Sequence, residues 1–299
     1  MFEGFSERRL ECERGTIFAR VGGTGPPLLL LHGYPENHLM WHAVAPVLGE
    51  RFTVVAADLT GYGGSLRPQP SADHAAHGKR ALALDQLQAM GSLGYERFAV
   101  AGHDRGGRVA YRLALDHPGR VSALAVLDIV PTADVWARAD DRFPLIYWHW
   151  GFLAQPAPLP ERLIAGDPGA YFEHMRALGL GREPGRYPEE VLAAYRAQLE
   201  DPATVEAMCE DYRAGASVDR EYDEADRGRT IECPVLALWG KRGALEIFYG
   251  DVLAVWRAWA RELHGRGVDA SHFLVEDRPG EVARELAAFF AASPAPALG

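Results

Sequence analysis

FAVAGHDRGGRVAYRLALDHP, residues 98–118, joins a strand-like apolar run (Phe98, Val100, Ala101) to a helix-like one (Val109, Tyr111, Leu113, Leu115). The junction is a turn in which Gly102 and Gly106 flank Asp104. Strand, tight turn, helix is the repeating unit of an α/β fold. A Gly-x-residue-x-Gly turn in that position pushes its central side chain outward. At the N-terminus of the following helix, the dipole favours an anion there.

Working outward, the same unit recurs. Residues 7–21 read as two short strands around the Glu13-Arg14-Gly15 turn. PPLLLLHG (26–33), RFTVVAADL (51–59), VSALAVLDI (121–129) and CPVLALWG (233–240) are short apolar runs, as expected of strands covered on both faces. Residues 37–48, 79–93 and 106–116 carry helical periodicity between them. The chain therefore predicts a mostly parallel central sheet flanked by helices. From Pro131 to about Tyr222 the alternation stops, and helix-like pieces at 159–165, 169–178, 188–199 and 202–214 replace it. We read 1–130 and 223–299 as an α/β core and 131–222 as an inserted helical cap over the C-terminal edge of the sheet, where open α/β sheets bind ligands. A last strand at 266–270 and a helix at 280–291 close the core, and SPAPALG reads as a loose tail.

Composition narrows the function. The chain has 299 residues, 48% of them hydrophobic, enough to bury a large core. Lys and Arg number 31 against 41 Asp and Glu, a net charge of −10, which disfavours nucleic acid and anionic membranes as partners. A small anionic substrate would need a local arginine cluster. Cys12, Cys209 and Cys233 are isolated, with neither metal spacing nor a disulfide framework, so a reducing cytoplasm is the simplest home. The start, MFEGFSERRLECERG, is too charged for a signal peptide. No cofactor and no metal are called for.

Asp104 by itself could be a nucleophile or only a helix cap. As a nucleophile, a carboxylate is already ionised near neutral pH and needs no base to attack. Attack on a saturated carbon would form an ester, which water can cleave; a serine would form an ether, which water cannot easily cleave. Ester hydrolysis needs a base, and His272 in DASHFLVEDRP follows the last strand. The base needs an orienting acid, and Asp128 ends the strand after the elbow helix, whereas Glu246 is the first carboxylate after CPVLALWG. Asp58 is read as stabilising its own loop. Oxyanion donors are expected from the backbone N–H groups of Tyr34 and Arg105, with Pro35 a candidate for a cis bond. His32, His38 and His103 are read as structural.

With these residues assembled, the chain resembles the fluoroacetate (haloacetate) dehalogenases of the α/β-hydrolase superfamily. The likeness runs along nearly the whole chain, through HGYPENHLMW, ADLTGYGGS, YWHWGFLAQ, CEDYRAGAS, ALWGKRG and SHFLVEDRP. GHDRGGR together with YWHW carries most of it. The resemblance implies an α/β-hydrolase fold with a helical cap and a homodimer. It also implies hydrolytic dehalogenation of short 2-haloacids, with Asp104 as nucleophile, His272 as base and Asp128 as its partner. Arg105 and Arg108 match the pair that holds the substrate carboxylate; they stand i and i+3 on one helical face, and arginine can grip a carboxylate through two parallel bonds. His149, Trp150 and Tyr212 match the donors that bind the departing halide, while Tyr147 and Trp148 are read as aromatic packing. Ser271, Gly64 and VEDRP depart from the family pattern without removing a catalytic group. Two other readings stand beside this one. An epoxide hydrolase would share the aspartate, though it would usually place tryptophan where Arg105 stands. A non-catalytic ligand-binding protein on the same scaffold is the third.

Overall fold

The computed structural model describes residues 1–177, 179 and 187–293. Its sheet has eight strands: β1 (Ser6–Cys12), β2 (Gly15–Gly22), β3 (Pro27–Leu31), β4 (Thr53–Ala57), β5 (Phe98–His103), β6 (Val121–Leu127), β7 (Val235–Gly240) and β8 (Leu263–Val268). They lie in the order β1-β2-β4-β3-β5-β6-β7-β8. β1 and β2 pair antiparallel, as do β2 and β4, and all other neighbours are parallel. Every residue of β3, β5, β6 and β7 is buried. That is why they read as unbroken apolar runs instead of alternating ones. Fully burying one of their leucines or valines stabilises the fold by about 1.5–3 kcal/mol.

β8 starts three residues earlier and ends two residues earlier than the sequence suggests. It is an edge strand, and its exposed and half-exposed residues alternate over Leu263–Arg266. An edge strand of Leu-His-Gly-Arg has no apolar run to reveal it.

β3 sits between β4 and β5, so the strand order reverses there. Crevices outside the carboxyl ends of strands at such a reversal are where open α/β sheets bind ligands. The segments directly after β3, β5, β6 and β8 carry Tyr34, Asp104, Asp128 and His272.

Between β6 and β7 the described residues form helices and no strand. Leu159–Gly166, Pro168–Ala177, Glu189–Leu199 and Pro202–Ala216 match the helix-like pieces of the sequence, residue 178 lying outside the described set. Thr132–Ala137, Phe143–Ile146 and Trp148–Leu153 are additional short helices in a stretch too aromatic and Pro-rich to show a period. Val218–Ala225 is another, and it runs across the boundary expected at 222/223. Its polar face is turned inward: Asp219 meets Lys79 (3.1 Å), while Asp223 meets Arg112 (2.8 Å) and accepts from the Ala133 N–H (3.0 Å). A helix anchored by buried ion pairs shows no apolar stripe. The last helix is Pro279–Ala292, and residues 294–299 of the expected tail lie outside the described set.

Candidate active site

Asp104 is the first residue of the helix Asp104–Asp116 and has φ +43°, in the left-handed region. Such a conformation costs on the order of 1–3 kcal/mol for a non-glycine residue. The turn that imposes it is very tight. A Cβ on Gly102 would fall 2.3 Å from the Gly106 carbonyl, and one on Gly106 would fall 2.4 Å from that of His32. Glycine at both positions is therefore a packing requirement. Asp104 Oδ2 accepts from the Tyr34 N–H at 3.0 Å, and the Tyr34–Pro35 bond is cis. The Arg105 N–H belongs to the first helical turn, whose N–H groups have no acceptor within the helix. Burial pushes the Asp104 carboxyl upward, but the nearby charges of His272, Arg105, His103 and Arg108 outweigh it and bring the pKa down to about 2.

His272 Nδ1 lies 2.5 Å from Asp128 Oδ2, and the other oxygen, Oδ1, accepts from the Gly240 N–H at 2.8 Å. Asp128 also has positive φ, +53°. In its neutral form, with Nδ1 donating to Asp128, the His272 ring presents Nε2 as an acceptor. Glu246, the other candidate partner, accepts instead from the Trp239 indole at 2.7 Å. The base loop is a compact turn. The Ser271 N–H donates to Asp277 (2.8 Å), and the Ser271 hydroxyl accepts from the Phe273 N–H (3.2 Å). Gly64, the other departure, donates its N–H to Asp58 Oδ2 (2.8 Å), and a Cβ there would meet the Phe18 ring at 2.9 Å.

Behind these residues lies a junction that sequence reasoning left as merely structural. His103 Nδ1 meets Glu36 Oε2 and Nε2 meets the His272 carbonyl, both at 2.9 Å. Both partners are acceptors, so both ring nitrogens donate and the ring is an imidazolium. Burial alone would lower its pKa; the charges of Glu36, Asp104 and Asp128 raise it to about 9. Glu36 Oε2 also accepts from the Gly33 N–H (3.0 Å). One buried ion pair thus ties the elbow, the Tyr34 loop and the base loop together. Beyond it, burial and the neighbouring Glu36 push the Glu276 carboxyl well up, and Glu276 accepts from the Tyr195 hydroxyl (2.9 Å).

Asp104, Asp128, His272, Tyr34, Arg108, His149 and Trp150 line a cavity of about 320 Å³. Leu145, Ile146, Met175, Ile247 and Phe273 add apolar lining, and Arg242 lines the cavity beside them. Tyr147, which the sequence suggests is packing, lines the cavity too while stacking on Phe248 at 5.5 Å. Trp148 packs on Phe152, Tyr171 and His174.

The two arginines differ from the symmetrical pair the sequence suggests. Arg105 is fully enclosed, and its fork already holds a protein carboxylate. Nε donates to Asp211 Oδ2 at 2.8 Å, and Nη2 donates to Oδ1 at 2.8 Å and to the Asp211 carbonyl at 2.6 Å. A two-armed grip on substrate is thereby corrected to a single free arm, Nη1, which has no partner among the described residues. Arg108 donates through Nη1 to the Val130 carbonyl (3.1 Å) and Thr132 Oγ1 (3.0 Å), and its Nε has no partner among the described residues. Its guanidinium carbon sits 4.7 Å from the centre of the Trp150 ring.

Asp211 escaped sequence reasoning, although it is the neighbour of Tyr212 in CEDYRAGAS. It is buried with Lys79, accepts from the Tyr62 hydroxyl (3.1 Å), and is held well below the usual carboxylate range by Arg105 and Lys79 despite its burial. It joins the helix bearing Tyr212 to the elbow. The Tyr212 ring lies 5.8 Å from His149 and 6.0 Å from Trp150, so the structure brings the three expected donors together. Among the described residues, the buried Tyr212 hydroxyl and His149 Nδ1 have no hydrogen-bond partner. Burial, with His272 and Arg105 nearby, lowers the His149 pKa to about 3, so the ring is neutral.

Known proteins show the same arrangement of chain. The alpha/beta hydrolase fold family matches residues 26–279. A fluoroacetate dehalogenase of Burkholderia sp is 45% identical over 97% of this chain and 95% of its own length. A soluble epoxide hydrolase of Corynebacterium sp. (strain C12) is 32% identical over 91% and 92%, respectively. A solved structure from Nostoc sp PCC 7120 superposes with a TM-score of 0.95 at 45% identity, covering 98% of this chain and 100% of that one. The family match spans β3 to β8, the elbow and the base loop alike, and on that ground the chain belongs to the α/β-hydrolase family.

Proposed function

We propose that this protein hydrolyses short 2-haloacids, converting fluoroacetate to glycolate and fluoride. The observation that carries this reading is a carboxylate, Asp104, held ionised at the elbow of a cavity that also holds His272 and Asp128. The 45% identity to a fluoroacetate dehalogenase supports the same substrate class.

The substrate carboxylate is drawn to Arg108 and to the free Nη1 of Arg105. Asp104 attacks the α-carbon from the side opposite the halide, through the oxygen that Tyr34 does not hold. The leaving halide gathers hydrogen bonds from His149, Trp150 and Tyr212. Fluoride is a poor leaving group but a strong acceptor, so donors at this position help it most. In the second half, His272 Nε2 takes a proton from water, which attacks the aspartyl ester carbon. The N–H groups of Tyr34 and Arg105 stabilise the oxyanion. Collapse returns Asp104 as a carboxylate and frees the hydroxy acid. A chiral substrate is inverted once.

A single turnover in heavy-oxygen water tests the sequence of steps. The label enters Asp104 first and reaches glycolate only on later turnovers. Label in the product of the first turnover would overturn the ester. Fluoride release from fluoroacetate set against hydrolysis of styrene oxide separates this reading from a general epoxide hydrolase. Binding of a haloacid with no halide release would leave only a ligand-binding protein.

A further inference from the structure

We propose that Glu276 is a positioning residue for ester hydrolysis, a step that belongs to the reading above. As a neutral carboxylic acid it donates its proton to Glu36, and so pins the turn that carries His272.

That turn is short. The helix Leu274–Asp277 begins two residues after His272, and the Glu276 N–H donates to the Phe273 carbonyl at 3.1 Å. A shift of the Glu276 side chain is therefore passed to His272 through a single turn of backbone. Glu276 is buried, and its Oε1 accepts from the hydroxyl of Tyr195, on the helix Glu189–Leu199, at 2.9 Å. Glu36, fully buried, spends its Oε2 on the His103 ring (2.9 Å) and the Gly33 N–H (3.0 Å). The oxygens left over are Glu36 Oε1 and Glu276 Oε2, and neither meets an N–H or O–H donor among the described residues.

The two carboxyl groups are nonetheless hydrogen-bonded to each other. An ionised carboxylate only accepts, so a bond between two carboxyl groups requires that one of them keep its proton. Glu276 is the one that keeps it. Burial works against ionisation of Glu36, but the His103 imidazolium beside it prevails. Around Glu276, burial and the charges of Glu36 and Asp277 all hold the proton on, and Tyr195 alone opposes them. The result is a carboxylic acid donating to a carboxylate, one of the short, charge-assisted hydrogen bonds.

The base loop thus has two ties to the same ion pair. His103 holds the His272 carbonyl, and Glu36 holds Glu276. Attack by Asp104 on the α-carbon makes no use of His272, whereas hydrolysis of the ester needs its Nε2 in place. Loosening the second tie should slow hydrolysis and spare the first half of the reaction.

The test separates the two halves with bromoacetate in rapid-quench experiments. Release of the first bromide per site measures attack by Asp104, glycolate measures hydrolysis, and peptide mass mapping finds any carboxymethyl ester on Asp104. Glu276→Leu removes both donor and acceptor. Glycolate formation is expected to fall by about 100-fold, the cost of misplacing a catalytic group by ~1 Å. The first bromide should leave at nearly the wild-type rate, so that the ester accumulates on Asp104. In Glu276→Gln the amide N–H can donate to Glu36 while the amide oxygen accepts from Tyr195. That variant should hydrolyse the ester at least about tenfold faster than Glu276→Leu, the worth of one hydrogen bond to a charged group. The infrared spectrum of the wild type at neutral pH should show the carbonyl stretch of a protonated carboxyl group, and Glu276→Gln should remove it.

Equal slowing of bromide release and glycolate formation would overturn the positioning role, as would a Gln variant no faster than the Leu one. An infrared spectrum that Glu276→Gln leaves unchanged would overturn the shared proton. If Glu276→Leu does not fold, the Gln variant and the infrared band still decide, since a Gln variant that accumulates the ester would itself count against the proposal. A wild type that releases no bromide would overturn the dehalogenase reading, with the infrared band deciding the shared proton separately.

Discussion

The strand-end side of the cavity and its helical side treat their polar atoms in opposite ways. On the strand-end side, Asp104 Oδ2, both Asp128 oxygens and His272 Nδ1 all have partners within 3.0 Å. On the helical side His149 Nδ1 is buried without a partner among the described residues, and so is the Tyr212 hydroxyl on the ring packed behind His149 and Trp150. An unpaired buried polar group costs about 1–3 kcal/mol, so it persists where a ligand can supply the bond. On the function proposed above, the groups that would move electrons are held in one geometry, whereas those that would receive the leaving atom keep their bonding capacity open. The first set should govern every substrate alike, and the second should discriminate among leaving groups.

The largest expected effect tests the first half of that statement. Asp104→Asn should lower turnover of fluoro-, chloro- and bromoacetate by roughly 10⁴-fold or more in each case. Halide release under steady state measures it, and a loss that depended on the halide would break the contrast. Next is the seam between the two sides. Asp211→Asn leaves Arg105 and Lys79 short of their buried counter-charge, and removing one partner of such a pair costs about 3–5 kcal/mol. Urea denaturation should show that loss.

The junction at His103 sets a pH limit of its own. Its pKa is about 9 in the fold and roughly 6.5 in the unfolded chain, so its contribution is complete below pH ~6.5. That contribution falls away as pH rises through about 9, amounting to roughly 3 kcal/mol. Denaturation midpoints at pH 6 and pH 9.5 measure it, and His103→Gln should flatten the difference. The smallest effect belongs to the helical side. Trp150→Phe keeps a ring over Arg108 and removes the indole N–H, so fluoride release should slow by about 10- to 100-fold, the value of a bond to a charged acceptor. Bromide release should slow less, and equal slowing would sink the idea that this side discriminates.

Where burial and sequence pattern coincide, the chain is easy to read. β3, β5, β6 and β7 are apolar throughout because both faces are covered, and the elbow is marked by two glycines that sterics require. Asp104, Asp128 and His272 could be selected because each directly follows a strand or its loop. The parts that escaped reading are those built from buried charge. Asp211, Asp219 and Asp223 look like solvent-facing acids on polar helices, yet each meets a cation that the sequence places 70 or more residues away. Arg105 illustrates the consequence, since helical spacing shows that it stands near Arg108 but not that Asp211 occupies its fork. His149, Trp150 and Tyr212 could be singled out only through family resemblance, because helical spacing does not distinguish a ring beside a cavity from one that fills a core.

The bond from His103 to the His272 carbonyl also bears on how the site could be re-engineered. Residues 271–277 look like a cassette that could be exchanged with a homologue to change the pace of ester hydrolysis. The loop's main chain is anchored to an imidazolium on the elbow, whose own charge is balanced by Glu36 in the Tyr34 loop. A graft would therefore have to carry His103 and Glu36 with it, and three stretches far apart in the chain would be inherited as one unit.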